Sequence, residues 1–279
     1  MLPPGTLQDR VAIITGGGTG LGKAMALEFT RLGARVVLAS RKPENLEKAA
    51  AEIAERGGEA LTVPTDVRDP EQVDRMVQAA LDRFGRIDIL VNNAAGNFVC
   101  PAEELSVNGW NAVVNIVLHG TFYCTRAVAR HWIAQGQGGN ILNIIATYAW
   151  TGGPGTVHSA AAKAGVLAMT RTLAVEWAPK GIRVNCIAPG PVDGTGAAPQ
   201  LWPTEEARQA VLSSIPLGRM GRPEEIAHAA AYLVSDYAAF ITGEVLTIDG
   251  GQWLGRGVFK GAPRPGGTGG VSNTEGARS

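Results

Sequence analysis

No charge of either sign predominates in this sequence of 279 residues, because 25 lysines and arginines balance 25 acidic residues. That balance removes the electrostatic basis for holding nucleic acid or an anionic membrane surface, and no block of like charge restores it locally. Cysteine is scarce. Cys100, Cys124 and Cys186 stand apart, with neither a Cys-x-x-Cys pair nor an even-numbered framework, which fits structural thiols in a reducing compartment. The four histidines, His119, His131, His158 and His228, lack metal-ligand spacing, so no metal site is expected. No apolar run approaches the length that spans a bilayer. Met1-Leu-Pro-Pro-Gly-Thr6 has neither a basic nor an apolar signal region, and the terminal Gly276-Ala-Arg-Ser279 is not a peroxisomal Ser-Lys-Leu address. A cytoplasmic protein without nucleic-acid or membrane partners is expected. Internal repeats are absent.

What the chain does have is core material: 45% of its residues are hydrophobic. Short β-branched runs at 11–15, 34–39, 60–64, 87–92, 140–146, 182–188 and 244–248 alternate with helical patterns at 20–32, 43–56, 70–84, 102–134 and 156–178. The fourth helical pattern reads as two pieces. The alternation predicts an α/β fold, a doubly wound Rossmann-type parallel sheet of about seven strands with helices on both faces. Strands apolar nearly throughout suit a sheet covered on both sides. Ligands of such sheets bind beyond the carboxyl ends of the strands. One domain over residues 1–260 is expected, with a substrate lid in the Pro- and Gly-rich segment 189–203 and a disordered Gly/Pro-rich tail at 261–279.

The first strand runs into Gly16-Gly-Gly-Thr-Gly20-Leu-Gly22 and then a helix. Glycines there permit a tight turn and bring main-chain N–H groups to a pyrophosphate at a helix N-terminus. Alone, such a loop also serves as turn punctuation; at the first β–α junction of a doubly wound sheet it points to a dinucleotide. The second strand ends in Ser40-Arg41-Lys42 instead of the carboxylate that accepts a ribose 2′-hydroxyl. A hydroxyl and two cations suit a 2′-phosphate, so NADPH is the expected cofactor.

From residue 7 to residue 253 the sequence resembles the short-chain dehydrogenases/reductases. The resemblance rests on the glycine loop, Asp66 after the third strand, Asn92-Asn-Ala-Ala-Gly96, Lys163, Pro189-Gly-Pro-Val192 and Asp249-Gly-Gly251. It implies a cofactor surface of Gly16, Gly18, Thr19, Gly20, Leu21, Gly22, Ser40, Arg41, Lys42, Asp66, Val67, Asn93, Ala94, Ala95, Lys163, Pro189, Gly190 and Val192. One family feature is missing. Where Tyr-x-x-x-Lys is usual, the chain reads Ser159-Ala-Ala-Ala-Lys163, and Val117 replaces the helix-borne asparagine. A tyrosine occurs instead at Tyr148, on the expected loop after the fifth strand.

Within the family the chain is similar to the 2,4-dienoyl-CoA reductases, in Ala94-Ala-Gly-Asn97-Phe98, Ala146-Thr-Tyr148, Ser159-Ala-Ala-Ala-Lys163 and Pro189-Gly-Pro-Val-Asp-Gly-Thr195. This resemblance implies an acyl-CoA substrate, Tyr148 and Asn97 as donors to a dienolate oxygen, Ser159 as a supporting hydroxyl and Lys163 as the ribose anchor. Leu167, near the place after the lysine where the peroxisomal subtype has an aspartate, favours the tyrosine-bearing mechanism. Asn97-Phe-Val-Cys-Pro101 and Val157-His158 resemble the peroxisomal subtype instead, so the subgroup stays open. Two other readings remain at this point: a carbonyl reductase using Tyr148 as its acid, and a non-catalytic NADP(H)-binding protein. Apolar residues on several faces of the long helices, among them Val113, Val117, Val128, Leu167, Leu173 and Trp177, predict an oligomer, and the family resemblance implies a homotetramer.

Overall fold

The computed structural model describes residues 2–194, 201–202 and 204–255. Part of the expected lid (195–200 and 203), the last residues of the expected domain and the whole expected tail lie outside the described residues. Seven strands form one sheet in the order β3-β2-β1-β4-β5-β6-β7, all neighbours parallel. They are β1 (Val11–Thr15), β2 (Arg35–Ser40), β3 (Glu59–Pro64), β4 (Ile89–Asn92), β5 (Gly139–Ile144), β6 (Ile182–Pro189) and β7 (Val245–Ile248). The chain starts in the middle, winds to one edge, then returns past β1 to the other. The reversal between β1 and β4 opens a crevice at their carboxyl ends.

Alternation along the strands divides the core. Ala12, Ile14, Val36, Leu38 and Val91 pack with α1 (Gly20–Arg31), α2 (Pro43–Glu55) and the helix Pro223–Val234. Val11, Ile13, Val37 and Leu90 face the opposite layer, α3 (Pro70–Phe84) and α5 (Gly120–Ala134). Each fully buried aliphatic side chain of this kind contributes about 1.5–3 kcal/mol. Trp132 is the largest of the wholly buried side chains, and its Nε1 donates to the Ile87 carbonyl at 2.7 Å, so its one polar atom is satisfied.

The segment expected as a helix in two pieces is α4 (Val107–Val114) joined to α5 through a π-helical turn, Asn115–His119. One wide turn re-aims the side chains without breaking the helix, a device common at functional sites. Here it buries Val117 and brings Ile116 to the crevice. Tyr148 does not sit in a loop: it opens a one-turn helix, α6 (Tyr148–Thr151), ahead of α7 (Val157–Trp177). Two helices, Glu205–Ser214 and Pro223–Val234, were not among those expected. Both carry readable starts. Thr204 Oγ1 accepts from the Ala207 N–H, and Pro223 with Glu224 and Glu225 forms an acidic first turn.

The residues chosen as surplus apolar surface are used within the chain. Val113, Val117, Val128 and Leu167 are buried in its own core, with Leu173 and Trp177 packed against it. Their faces looked redundant because the sequence does not reveal how deeply α5 and α7 pack on the sheet. The exposed apolar side chains are others, including Val107, Phe122, Val175 and Phe240. Among the described residues no helix is long and apolar enough to cross a membrane.

Candidate active site

The crevice is founded on the contact between β1 and β4. Thr15 Oγ1 donates to the Val91 carbonyl and accepts from the main-chain N–H groups of Asn93 and Ala94, both at 3.0 Å. Asn93 Nδ2 donates to the carbonyls of Thr15 and Gly16. Gly16 has a φ of 65°, which favours glycine, and a Cβ on Gly22 would stand 2.2 Å from the Gly16 carbonyl oxygen. The loop is thereby clamped between α1 and the β4 end. Gly16, Gly18, Thr19, Gly20 and Leu21 of the loop line a cavity of about 980 Å³.

That cavity gathers nearly every residue singled out in the sequence. Gly16, Ser40, Arg41, Lys42, Asp66 and Val67 line it on the β1–β3 side. Asn93, Ala94, Ala95, Asn97, Tyr148, Ser159 and Lys163 follow on the β4–β5 side, and Pro189, Gly190 and Val192 at the β6 end. Gly22 is the exception, lying behind the loop as packing. Arg41 and Lys42 form no ion pair among the described residues. A cleft with a glycine-lined helix start, two cations without an ion pair among the described residues and a buried lysine has the polar groups to hold a nicotinamide dinucleotide.

Tyr148 and α7 meet across one polar contact. Tyr148 Oη lies 3.0 Å from Ser159 Oγ, and Asn97 Nδ2 donates to the same Oη at 3.5 Å. Burial raises the pKa of the phenol, and the two hydrogen bonds only partly offset it. Asn97 Oδ1 accepts from the Phe98 N–H, which leaves its amide N–H groups facing the cavity. One turn further along α7, Lys163 is 7% exposed and donates to the Ile144 carbonyl. Burial pushes its ammonium down to about 8.

A buried polar chain beneath these groups holds the strand ends in register. Asn92 Nδ2 donates to Thr125 Oγ1 and to Asn143 Oδ1, both at 2.9 Å. Asn143 Nδ2 donates to Thr170 Oγ1 at 2.8 Å, and the Cys186 thiol donates to the same oxygen. β4, β5 and β6 are thus tied to α5 and α7. Burial raises the thiols of Cys124 and Cys186 to about 12 and about 11, which makes them inert packing groups.

His158 is buried: its ring meets Phe98 edge-on at 4.5 Å, and burial lowers its pKa. Trp202 lines the cavity, whereas Trp150 and Trp253 pack edge to face at 5.7 Å. Sequence reasoning passed over Ile116, Val211 and Gln252, which also line the cavity, and Arg68, which grips Asp66. A cation two residues after the aspartate was the only available signal for Arg68; Ile116 depended on the π-turn and had none.

Comparison with known proteins shows the family. A family model described as Enoyl-(Acyl carrier protein) reductase matches residues 16–252. A Bacillus subtilis (strain 168) protein named Probable 2,4-dienoyl-CoA reductase, (2E)-enoyl-CoA-producing, is 54% identical over 249 residues, 89% of this chain and 98% of its own. The Danio rerio Peroxisomal 2,4-dienoyl-CoA reductase, (3E)-enoyl-CoA-producing, is 44% identical over 252 residues, 90% of this chain and 84% of its own. A crystal structure of a short chain dehydrogenase from Bacillus anthracis superposes with a TM-score of 0.84 at 56% identity, covering 89% of this chain and 98% of that one. With a β3-β2-β1-β4-β5-β6-β7 parallel sheet, a glycine loop at the strand reversal and relatives matched over most of its length, the chain belongs to the short-chain dehydrogenase/reductase family.

Proposed function

We propose that this chain is an NADPH-dependent reductase of 2,4-dienoyl-CoA thioesters that forms the 3-enoyl-CoA, a step in degrading unsaturated fatty acids. The observation that carries the reading is the Asn97 Nδ2–Tyr148 Oη–Ser159 Oγ array, which can offer an N–H and an O–H to a single substrate oxygen. A nicotinamide held in this cleft would supply the hydride that the δ-carbon of the dienoyl chain takes up. As that C–H bond forms, an electron pair moves through the conjugated system to the thioester oxygen. Tyr148 and Asn97 donate hydrogen bonds to that oxygen, the kind of preorganised stabilisation worth about 2.7–4 kcal/mol per donor. Ser159 fixes the phenol, and Lys163 would bind the nicotinamide ribose hydroxyls.

Proton placement decides the product. Burial raises the pKa of the phenol, so Tyr148 keeps its proton at neutral pH and can donate a hydrogen bond to the developing oxyanion. Asp66 is the one carboxylate among the described lining residues. It follows β3, four strand spacings or about 19 Å from the β5 end that carries Tyr148. Water is proposed as the proton source for the α-carbon, and the double bond then stays at position 3. The names of the two relatives divide on this point, one being (2E)-enoyl-CoA-producing and the other (3E)-enoyl-CoA-producing, and the 3-enoyl product is the one proposed here.

The other roles follow from position. The residues Gly16, Gly18, Thr19, Gly20, Leu21 and Gly22 would hold the pyrophosphate, Ser40, Arg41 and Lys42 the 2′-phosphate, and Asp66 and Val67 the adenine. Asn93, Ala94, Ala95, Pro189, Gly190 and Val192 would flank the ribose and nicotinamide. Residues 1–260 are proposed as one catalytic domain of a cytoplasmic homotetramer; the exposed Phe122, Val175 and Phe240 support the self-association alone.

The test presents NADPH with a 2,4-dienoyl-CoA and, in parallel, a 3-oxoacyl-CoA, and locates the product double bond by NMR. Oxidation of NADPH by the dienoyl thioester with a 3-enoyl product is expected. Turnover of the 3-oxoacyl thioester alone would overturn the reading.

A further inference from the structure

Beside the adenine end of the cavity, Arg68 folds back on Asp66. Its Nε lies 2.9 and 3.0 Å from the two carboxylate oxygens, Nη2 closes on Oδ2, and the main-chain N–H donates to Oδ1 at 3.0 Å. The turn that presents this pair is anchored on the start of α3. Gln72 Oε1 accepts from the Asp66 N–H at 2.9 Å, while Gln72 Nε2 donates to Asp69, whose Oδ1 accepts from the Glu71 N–H. The fork is therefore held in place from both sides.

β2 and β3 pair in register, Ser40 beside Pro64, which brings Ser40-Arg41-Lys42 alongside Thr65-Asp66. The Asp66 carboxylate lies within electrostatic reach of Arg41. An uncommitted carboxylate at that place would draw Arg41 onto itself and repel any phosphate brought to the β2 end. Neither happens here: both Asp66 oxygens are occupied by Arg68, and Arg41 and Lys42 remain without an ion pair among the described residues.

We propose that Arg68 is a positioning residue for cofactor choice: by occupying Asp66 it keeps Arg41 and Lys42 available to a phosphate on the ribose 2′ position. The inference rests on the NADPH reading of the same site. It differs from a direct phosphate contact, because Arg68 works through Asp66. Removing the carboxylate should therefore make Arg68 dispensable.

Calorimetric binding of 2′,5′-ADP and of 5′-AMP to the full-length protein reads this without turnover. The wild type should prefer 2′,5′-ADP. Arg68→Ala should cut that preference by about tenfold, the scale of one charge-assisted contact, with 5′-AMP affinity moving by less than about threefold. Arg68→Met, which keeps the aliphatic stem, should give the same result and guards against a folding defect. Adding Asp66→Asn to Arg68→Ala should restore the preference to within about threefold of wild type. A double variant that stays poor would mean that Arg68 touches the phosphate itself, overturning the inference. A wild type that prefers 2′,5′-ADP while both Arg68 variants keep its preference would also overturn it and leave the NADPH reading standing. A wild type with no preference would remove the NADPH reading and the inference together.

Discussion

Tyr148 Oη and Ser159 Oγ stand 3.0 Å apart, so a phenol carried by the one-turn helix α6 reaches the first turns of α7. The family's usual tyrosine would project from position 159 itself; here the hydroxyl arrives from the other side of the same cleft. If Ser159 only steadies the phenol, Ser159→Ala should lower kcat by no more than about tenfold, the loss of one neutral hydrogen bond. Steady-state kinetics with a dienoyl-CoA would show a larger effect if the serine did the chemistry.

Lys163 gives a pH signature. Burial pushes its ammonium down to about 8 from the 10.5 of an exposed lysine, so between those values the unfolded chain binds more protons. Stability of the cofactor-free protein should therefore rise with pH across that window, and the burial cost, on the order of 3 kcal/mol, is fully present below it. Lys163→Met should raise Tm near pH 7 by an amount that shrinks as pH approaches 10. A difference that ignores pH would contradict the assignment. Cofactor affinity of the wild type should also weaken as pH rises through about 8, where the ammonium is lost.

Cofactor choice is tested at the β2 end. Ser40→Asp combined with Arg41→Ala should weaken NADPH by about ten- to a hundredfold and improve NADH use, since one charge-assisted contact contributes about 1.5–3 kcal/mol. KM values for both cofactors measure it. A wild type that already favours NADH would contradict the reading of Ser40-Arg41-Lys42.

Assembly is open to a simple measurement. Phe240, Val175 and Phe122 leave apolar surface in water on a chain that is otherwise well packed. Light scattering at micromolar concentration should return a tetramer mass, and a monomer would remove that part of the proposal.

Much of this was legible in the sequence because the informative patterns were local. Val11–Thr15 and Pro70–Phe84 are bounded by their own turn and cap residues, and the structure keeps both bounds. Glycine spacing at residues 16–22 and the cations at 41 and 42 likewise name their own chemistry. What escaped was relational. Apolar residues on α5 and α7 looked surplus until their packing was visible, and Val117 is buried by a π-turn that no residue preference announces. The grip of Arg68 on Asp66 depends on a turn geometry set by Gln72, and His158, a polar residue by type, is packed against Phe98.

The central claim is that Tyr148 stabilises negative charge on the substrate oxygen without giving up its proton. Single-turnover kinetics of Tyr148→Phe, with NADPH prebound and a dienoyl-CoA added, measures this directly. The hydride-transfer rate should fall by about two to three orders of magnitude, as loss of one oxyanion donor does, with NADPH affinity nearly unchanged. A Tyr148→Phe enzyme that transfers hydride at the wild-type rate, beside a Ser159→Ala enzyme that does not, would contradict the account and put the serine in the ordinary tyrosine's place.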